Sequence, residues 1–201
     1  ASAYQIKDTP LPKIPTDVRT TGDADTAADW IEEIIEWAET DQLDKAPEGY
    51  HDVSIDYETT GLKPHREGHE IKAASVGYRK DGEYHAIGIW WDGDNERLVN
   101  AWYKLTHHKK IGLVAHKADY EACWTRFRAG LHNSRTDWID NWSWDTCLGA
   151  HVLDNSQKVG LKFHTYCELG VIGYDNKADH FISTIMDGED TKSCNVFNLL
   201  K

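Results

Sequence analysis

No run of apolar residues in this chain comes near the roughly 20 needed to span a bilayer, so no membrane segment is expected. Ala1 to Pro15 lacks the basic-then-apolar layout of a secretory signal, and the initiator Met is missing, which implies processing or trimming. A cytoplasmic protein is expected, or one of the host cytoplasm if phage-encoded. Cysteine is scarce and scattered: Cys123, Cys147, Cys167 and Cys194 form no Cys-x-x-Cys pair of the kind that binds zinc. They are expected as small apolar groups, buried or half-buried, because a disulfide framework is unusual in a domain of this size and compartment. Positive charge is also in short supply. The 22 Lys and Arg face 34 Asp and Glu, a formal net charge of −12. Nucleic-acid binders are more often basic, since cations replace the counterions condensed on phosphate. The charge therefore argues against tight general binding to DNA. It leaves open an enzyme that gathers carboxylates around metal ions, because bound cations reverse the local sign.

The 201 residues suffice for one well-packed domain, and 40% hydrophobic with 28% charged residues is ordinary for a globular protein. Nine tryptophans favour a core rich in aromatic contacts with helices and sheet. Pro10, Pro12 and Pro15 mark residues 1–15 as an extended lead-in, and a single domain is expected over 16–201. Thr26 and Asp29 form a capping-box signal for a helix to Glu39, with Trp30, Ile31, Ile34, Ile35 and Ala38 as its apolar stripe. Val53, Ile55 and Tyr57 alternate with Asp52, Ser54 and Asp56, the period of a strand. Strands over Ile71–Tyr78 and Tyr84–Trp91 flank Asp81-Gly82, a strong hairpin turn. Leu98, Val99, Trp102 and Leu105 mark a helix, Ile111–Ala115 a buried strand, and Tyr120, Cys123, Trp124 and Phe127 another helix. Short helices follow near Asp145–Leu153 and Leu161–Leu169. The order implies an α/β fold, a mixed sheet flanked by helices.

The run Val53-Ser54-Ile55-Asp56-Tyr57-Glu58-Thr59-Thr60-Gly61-Leu62 carries the clearest chemistry. Residues i and i+2 of a strand point the same way, so Asp56 and Glu58 leave one face at its carboxyl end. Two carboxylates there make half a cage for a hard cation such as Mg²⁺ or Mn²⁺. A bare Asp-x-Glu is commonly just the polar face of a strand entering a turn. Asp-x-Glu-Thr-x-Gly-Leu in full, extended here by Lys63 and Pro64, resembles the first motif of the DEDD 3′–5′ exonucleases. These include the proofreading domains of family A DNA polymerases, whose phage and bacterial versions it resembles most, and ribonuclease D.

The likeness continues at Leu113-Val114-Ala115-His116-Lys117-Ala118-Asp119-Tyr120-Glu121, which is similar to the family's second motif. Aligned by Tyr120, the metal-binding acid is Glu121 and not Asp119; Lys117 stands where the family commonly has Asn. A third stretch, Trp144 to Leu153 followed by Gly160-Leu161-Lys162, resembles the segment between motifs two and three. Its Asp145 is expected to cap a helix, with a reserve role as a metal ligand. A closing Tyr-x-x-x-Asp helix is not found. His180 and Asp187, or the cluster of Asp187, Glu189 and Asp190, qualify by composition only, and a solvated turn is the better reading of that cluster. Either a piece of a longer polymerase or a domain that has lost its final ligand is therefore expected.

The resemblance implies a ribonuclease H-like fold and two-metal hydrolysis of phosphodiester bonds at single-stranded DNA 3′ ends. Asp56, Glu58 and Glu121 would hold two Mg²⁺ or Mn²⁺ ions. Thr60, Leu62, His116, Lys117 and Tyr120 would line the path of the terminal nucleotides, and a polymerase domain or other replication partner is expected. A catalytically incomplete module that binds DNA ends or a protein stays open as an alternative, as does an RNA exonuclease. Lys104 to Lys110, with His107 and His108, could contact phosphate but reads better as a solvated helix end.

Overall fold

The computed structural model describes residues 17–129 and 141–171. Six strands in this part form one sheet: β1 (Asp17–Thr21), β2 (His51–Thr59), β3 (Ile71–Lys80), β4 (Glu83–Trp90), β5 (Ile111–Ala115) and β6 (Trp142–Asp145). Their spatial order is β1-β4-β3-β2-β5-β6. β3 pairs antiparallel with both β2 and β4, while β1 with β4, β2 with β5, and β5 with β6 are parallel. Five strands therefore run in one direction and only β3 runs against them. The carboxyl ends of β1, β4, β2, β5 and β6 gather at one end of the sheet, where open α/β sheets usually bind ligands.

Local chemistry explains these elements. The β3–β4 turn places Asp81 and Gly82 at φ 54° and 77°, both left-handed as a tight two-residue hairpin requires. α1 (Ala24–Glu39) starts earlier than its Thr26/Asp29 signal predicts. Asp23 caps it, its carboxylate accepting from the Thr26 amide at 2.8 Å and the Thr26 hydroxyl at 2.6 Å. Thr26 is thus the donor to the cap and not the cap itself. α2 (Glu96–Thr106) is capped by Asn95, and α1 and α2 lie side by side, tied by Arg97 to Glu32 at 2.7 Å. α3 (Ala118–Trp124) passes into one π-helical turn over Thr125–Ala129, a change of pitch that the Phe127 spacing did not reveal. α4 (Thr146–Leu153) and α5 (Leu161–Leu169) close the described part.

The core lies between the sheet and the helices α1 and α2. Ile31, Ile34 and Ala38 of α1 and Leu98, Trp102 and Leu105 of α2 are fully buried against Val53, Ile87 and Leu113 of the sheet. The aromatic core expected from nine tryptophans is real. Tyr57, Trp91 and Trp102 pack edge-on or tilted at centroid distances of 5.4 to 6.4 Å. The buried Tyr57 hydroxyl accepts from Trp102 Nε1 at 2.6 Å and meets Thr125 Oγ1 at 2.8 Å, which satisfies polar atoms that burial would otherwise penalise.

Two strands escaped the sequence reading. β1 is five residues long with Val18 exposed, and β6 is four residues long; edge strands this short show too little alternation to be recognised. The cysteine expectation also needs correcting. Cys147 is half-buried, but Cys123 and Cys167 are exposed, because α3 turns Glu121 and Trp124 inward and α5 buries no side chain. Lys110 donates to the Glu39 carbonyl at 2.7 Å and Asp41 at 3.1 Å, so the basic run after α2 ties down the end of α1.

Candidate active site at the carboxyl end of the sheet

β2 alternates strictly: His51, Val53, Ile55 and Tyr57 are buried, and Asp52, Ser54, Asp56 and Glu58 face the other way. Asp56 and Glu58 thereby share one face, two residues apart, at the end of a strand held on both sides for its first half. On the β5 side that support stops early, since the parallel register ends at Ser54 with Val114. His51, Val53, Ile55 and Tyr57 point their amides toward β5, as the bond from His51 N–H to the Lys110 carbonyl at 2.8 Å shows. The Tyr57 amide, past the end of this pairing, needs another acceptor.

α3 supplies one. Its start carries Asp119 and Glu121, of which Asp119 is exposed and Glu121 is 3% exposed. The Tyr57 amide lies against the Glu121 carboxylate and favours its ionised form. One oxygen, Oε2, is buried without a hydrogen-bond partner. Burial first, and then the charge of Asp56, push the Glu121 carboxyl up to about 9; the Tyr57 amide opposes this, and Glu58 and Asp119 add to it. Asp56 is raised by burial, and Glu58 by burial and by Asp56. Both keep access to solvent, while the protein around them is dense enough to make ionisation harder. The three carboxylates repel one another, and a divalent cation would relieve that repulsion.

The donor set fits a hard cation in type and charge: carboxylate oxygens only, one of them buried and unpartnered. Among the described residues, no three of His, Cys, Asp and Glu stand close enough to form a complete metal cluster. His180, Asp187, Glu189 and Asp190 lie outside the described residues.

The other residues singled out in the sequence divide by what they touch. Thr60 Oγ1 accepts from the Glu70 amide at 2.9 Å and closes the loop between β2 and β3. Tyr120 Oη meets Thr59 Oγ1 at 2.7 Å and donates to the Gly61 carbonyl at 3.4 Å, so its ring braces the first motif. A Cβ at Gly61 would run into the His69 imidazole, which explains a glycine there. Leu62 is 81% exposed on that loop, free to meet a ligand. His116 Nδ1 lies 2.9 Å from Thr146 Oγ1, whose hydroxyl donates to the Ala115 carbonyl. Thr146 can then only accept from His116, which fixes the imidazole proton on Nδ1. Lys117 is exposed and left-handed, at φ 71° and ψ 63°.

Asp145 is the helix cap that its position suggested. Burial acts to raise its carboxyl, but amides of Leu148, Ala118, Lys117 and Cys147 outweigh this and hold it below the usual carboxylate range. Its carboxylate is held by these four amides in the role of a cap. What the sequence did not reveal is a recess of about 440 Å³ beside the acids, lined by Asp56, Glu58, Ala73, Gly88, Thr20 and Trp90. Trp90 is 38% exposed. It stands across β3 from the acids, paired with Ala73, and only strand register could have brought it there.

A mixed six-stranded sheet with this order and flanking helices has a ribonuclease H-like α/β fold. No family model matches the sequence, and no curated protein matches it. Solved structures do. Escherichia coli RNase D, described as an exoribonuclease involved in structured RNA processing, superposes with a TM-score of 0.52 and 11% identity, covering 92% of this chain and 42% of that one. Trypanosoma brucei RNase D gives 0.51 and 9%, over 92% of this chain and 63% of that one. Pol1 of M. smegmatis, in complex with DNA primer-template and dNTP, gives 0.51 and 13%, over 91% and 26%. Identities this low define a shared fold, and function has to be argued from the site. None of the helices in the described residues is long and apolar enough to cross a membrane.

Proposed function

We propose that this chain is a metal-dependent 3′–5′ exonuclease of the proofreading type, acting on single-stranded DNA 3′ ends as the editing part of a phage-like DNA polymerase. The observation that carries this reading is Glu121. A carboxylate buried against the end of β2, with one oxygen unpartnered and its ionisation opposed by Asp56 and Glu58, is costly in a structural role. It becomes useful where a cation is to be held.

Asp56, Glu58 and Glu121 would hold two Mg²⁺ or Mn²⁺ ions, which when bound would make hydroxide available near neutral pH and offset charge on the phosphate. Glu58, at the solvent end of the pair, would keep the attacking water in line with the scissile bond. Leu62, exposed on the loop that follows β2, and the ring of Trp90 in the recess offer apolar surface to unstacked terminal bases without reading their sequence. Lys117 adds a cation near the phosphate path. His116, Tyr120 and Thr60 support the two motifs through the bonds already described. The reaction would release 5′-mononucleotides.

One observation favours a second reading, a catalytically incomplete module that binds DNA ends or a protein: no metal cluster closes among the described residues. Both readings meet in one assay. Labelled single-stranded DNA and RNA are incubated with Mg²⁺, Mn²⁺ or EDTA, beside the Asp56→Ala variant. Metal-dependent release of mononucleotides from DNA, absent in the variant, is the expected result. Faster release from RNA would move the substrate toward that of an exoribonuclease. No release from folded protein, with retained binding to DNA, would favour the module.

A further inference from the structure

We propose that Asp145, at the end of β6, and Thr146, at the start of α4, are positioning residues that set the place of Glu121 by clamping the turn from β5 into α3. The proposal rests on the nuclease reading for its functional meaning and on geometry for its substance. Asp145 Oδ1 accepts from the Lys117 amide at 3.2 Å, and Oδ2 from the Ala118 amide at 2.9 Å. Oδ1 also accepts from Cys147 at 2.8 Å and Leu148 at 3.1 Å, the first amides of α4. Thr146 Oγ1 donates to the Ala115 carbonyl at 3.3 Å and accepts from His116 Nδ1 at 2.9 Å. Two adjacent side chains, one ending β6 and one starting α4, thus hold four consecutive residues, 115 to 118, and one carboxylate caps two helices.

α3 needs this outside help. The first amides of any helix lack partners within it. The residue in the cap position is Lys117, which makes no side-chain cap bond and is held in the left-handed region. That conformation costs an ordinary side chain roughly 1 kcal/mol. The helix has only 7 residues, too few to persist without tertiary support. Glu121 sits one turn beyond Ala118, so a loosened start would move its carboxylate off the Tyr57 amide. The clamp also spans a long stretch of chain, because β5 and β6 are parallel and the segment joining them includes α3 itself.

The test is Asp145→Asn. Asparagine is as good a cap as aspartate for the helix that follows it, so its oxygen can still serve Cys147 and Leu148. Its NH₂ group then opposes the Ala118 amide, where a second acceptor is needed. Amide exchange followed by NMR reads the consequence without any metal. In the variant, Ala118 and Tyr57 should exchange roughly tenfold faster, the equivalent of about one lost hydrogen bond, while Leu148 keeps its protection. Mn²⁺ affinity, measured by electron paramagnetic resonance, should fall about tenfold, as losses of supporting groups around metal ligands usually do. On single-stranded DNA, kcat should fall with it and KM should stay. Thr146→Val should weaken Mn²⁺ binding and Thr146→Ser should restore it.

Unchanged Tyr57 protection in Asp145→Asn would overturn the clamp, whatever the metal does. Faster exchange with unchanged Mn²⁺ affinity and kcat would overturn its functional role. A wild-type chain that binds no Mn²⁺ and releases no nucleotide would refute the nuclease reading instead, and the Tyr57 amide would still decide whether Asp145 places Glu121.

Discussion

Replacing Glu121 with glutamine separates what this side chain costs the fold from what it contributes to a site. Glutamine keeps the shape and keeps an oxygen for the Tyr57 amide, but it cannot ionise. In the folded metal-free chain the Glu121 carboxyl is pushed up to about 9, chiefly by burial and by Asp56. Unfolded, it titrates near 4.5. A group raised in the folded state contributes its full stability below the unfolded value and loses it as pH rises toward the folded one. Metal-free protein should therefore weaken between pH 4.5 and 9, by up to about 1.4 kcal/mol per pH unit. At pH 8 the ceiling on this loss is about 5 kcal/mol, and residual compactness of the unfolded chain brings the expectation nearer 3 kcal/mol.

Glu121→Gln removes the loss, so in EDTA at pH 8 it should melt roughly 6–12 °C above wild type, at about 2–4 °C per kcal/mol for a chain of this size. At pH 5 the two should melt within a few degrees. With saturating Mg²⁺ the order should reverse: wild type gains from the bound ion and the variant gains little. Differential scanning calorimetry across pH 5–9, with EDTA and with Mg²⁺, makes the comparison. A variant that melts below wild type at pH 8 without metal would refute the reasoning, since it would mean that the ionised carboxylate stabilises the fold by itself.

The remaining expectations concern single positions. Asp56→Ala should abolish metal-dependent nucleotide release and leave the circular dichroism spectrum intact, because Asp56 faces away from the core; loss of fold and activity together would speak against a ligand role. Asp119→Ala should lower kcat far less than Glu121→Ala, since only Glu121 is buried beside the end of β2; the opposite ranking would shift the second motif by two residues. Lys117→Gly should raise stability by about 1 kcal/mol, by relieving a left-handed lysine at φ 71°, visible as a higher urea midpoint at unchanged slope. Tyr57→Phe should cost about 1–3 kcal/mol, because it strands the Trp102 indole N–H in the core and leaves the Thr125 hydroxyl only its bond to the Glu121 carbonyl.

Much was legible before any fold was known. The alternation from Val53 to Tyr57, the Asp81-Gly82 turn, the α1 stripe and the strand Ile111–Ala115 are local signals, set by side-chain period and by backbone angles that few residues tolerate. That Asp56 and Glu58 share a face follows from the two-residue period alone. Tertiary contact decided what lies beyond the reach of a period. β1 and β6 are strands only because β4 and β5 offer them partners. Which side of α3 meets β2 buries Glu121 and leaves Asp119 exposed, and Asp145, 27 residues on from Ala118, caps the start of α3. Trp90 enters the recess of Asp56 and Glu58 through two antiparallel registers. A strand's own sequence determines which side chains share a face. Which carboxylate, amide or ring stands opposite that face is decided by packing between distant segments, where contact and desolvation act on neighbours that the sequence does not list side by side.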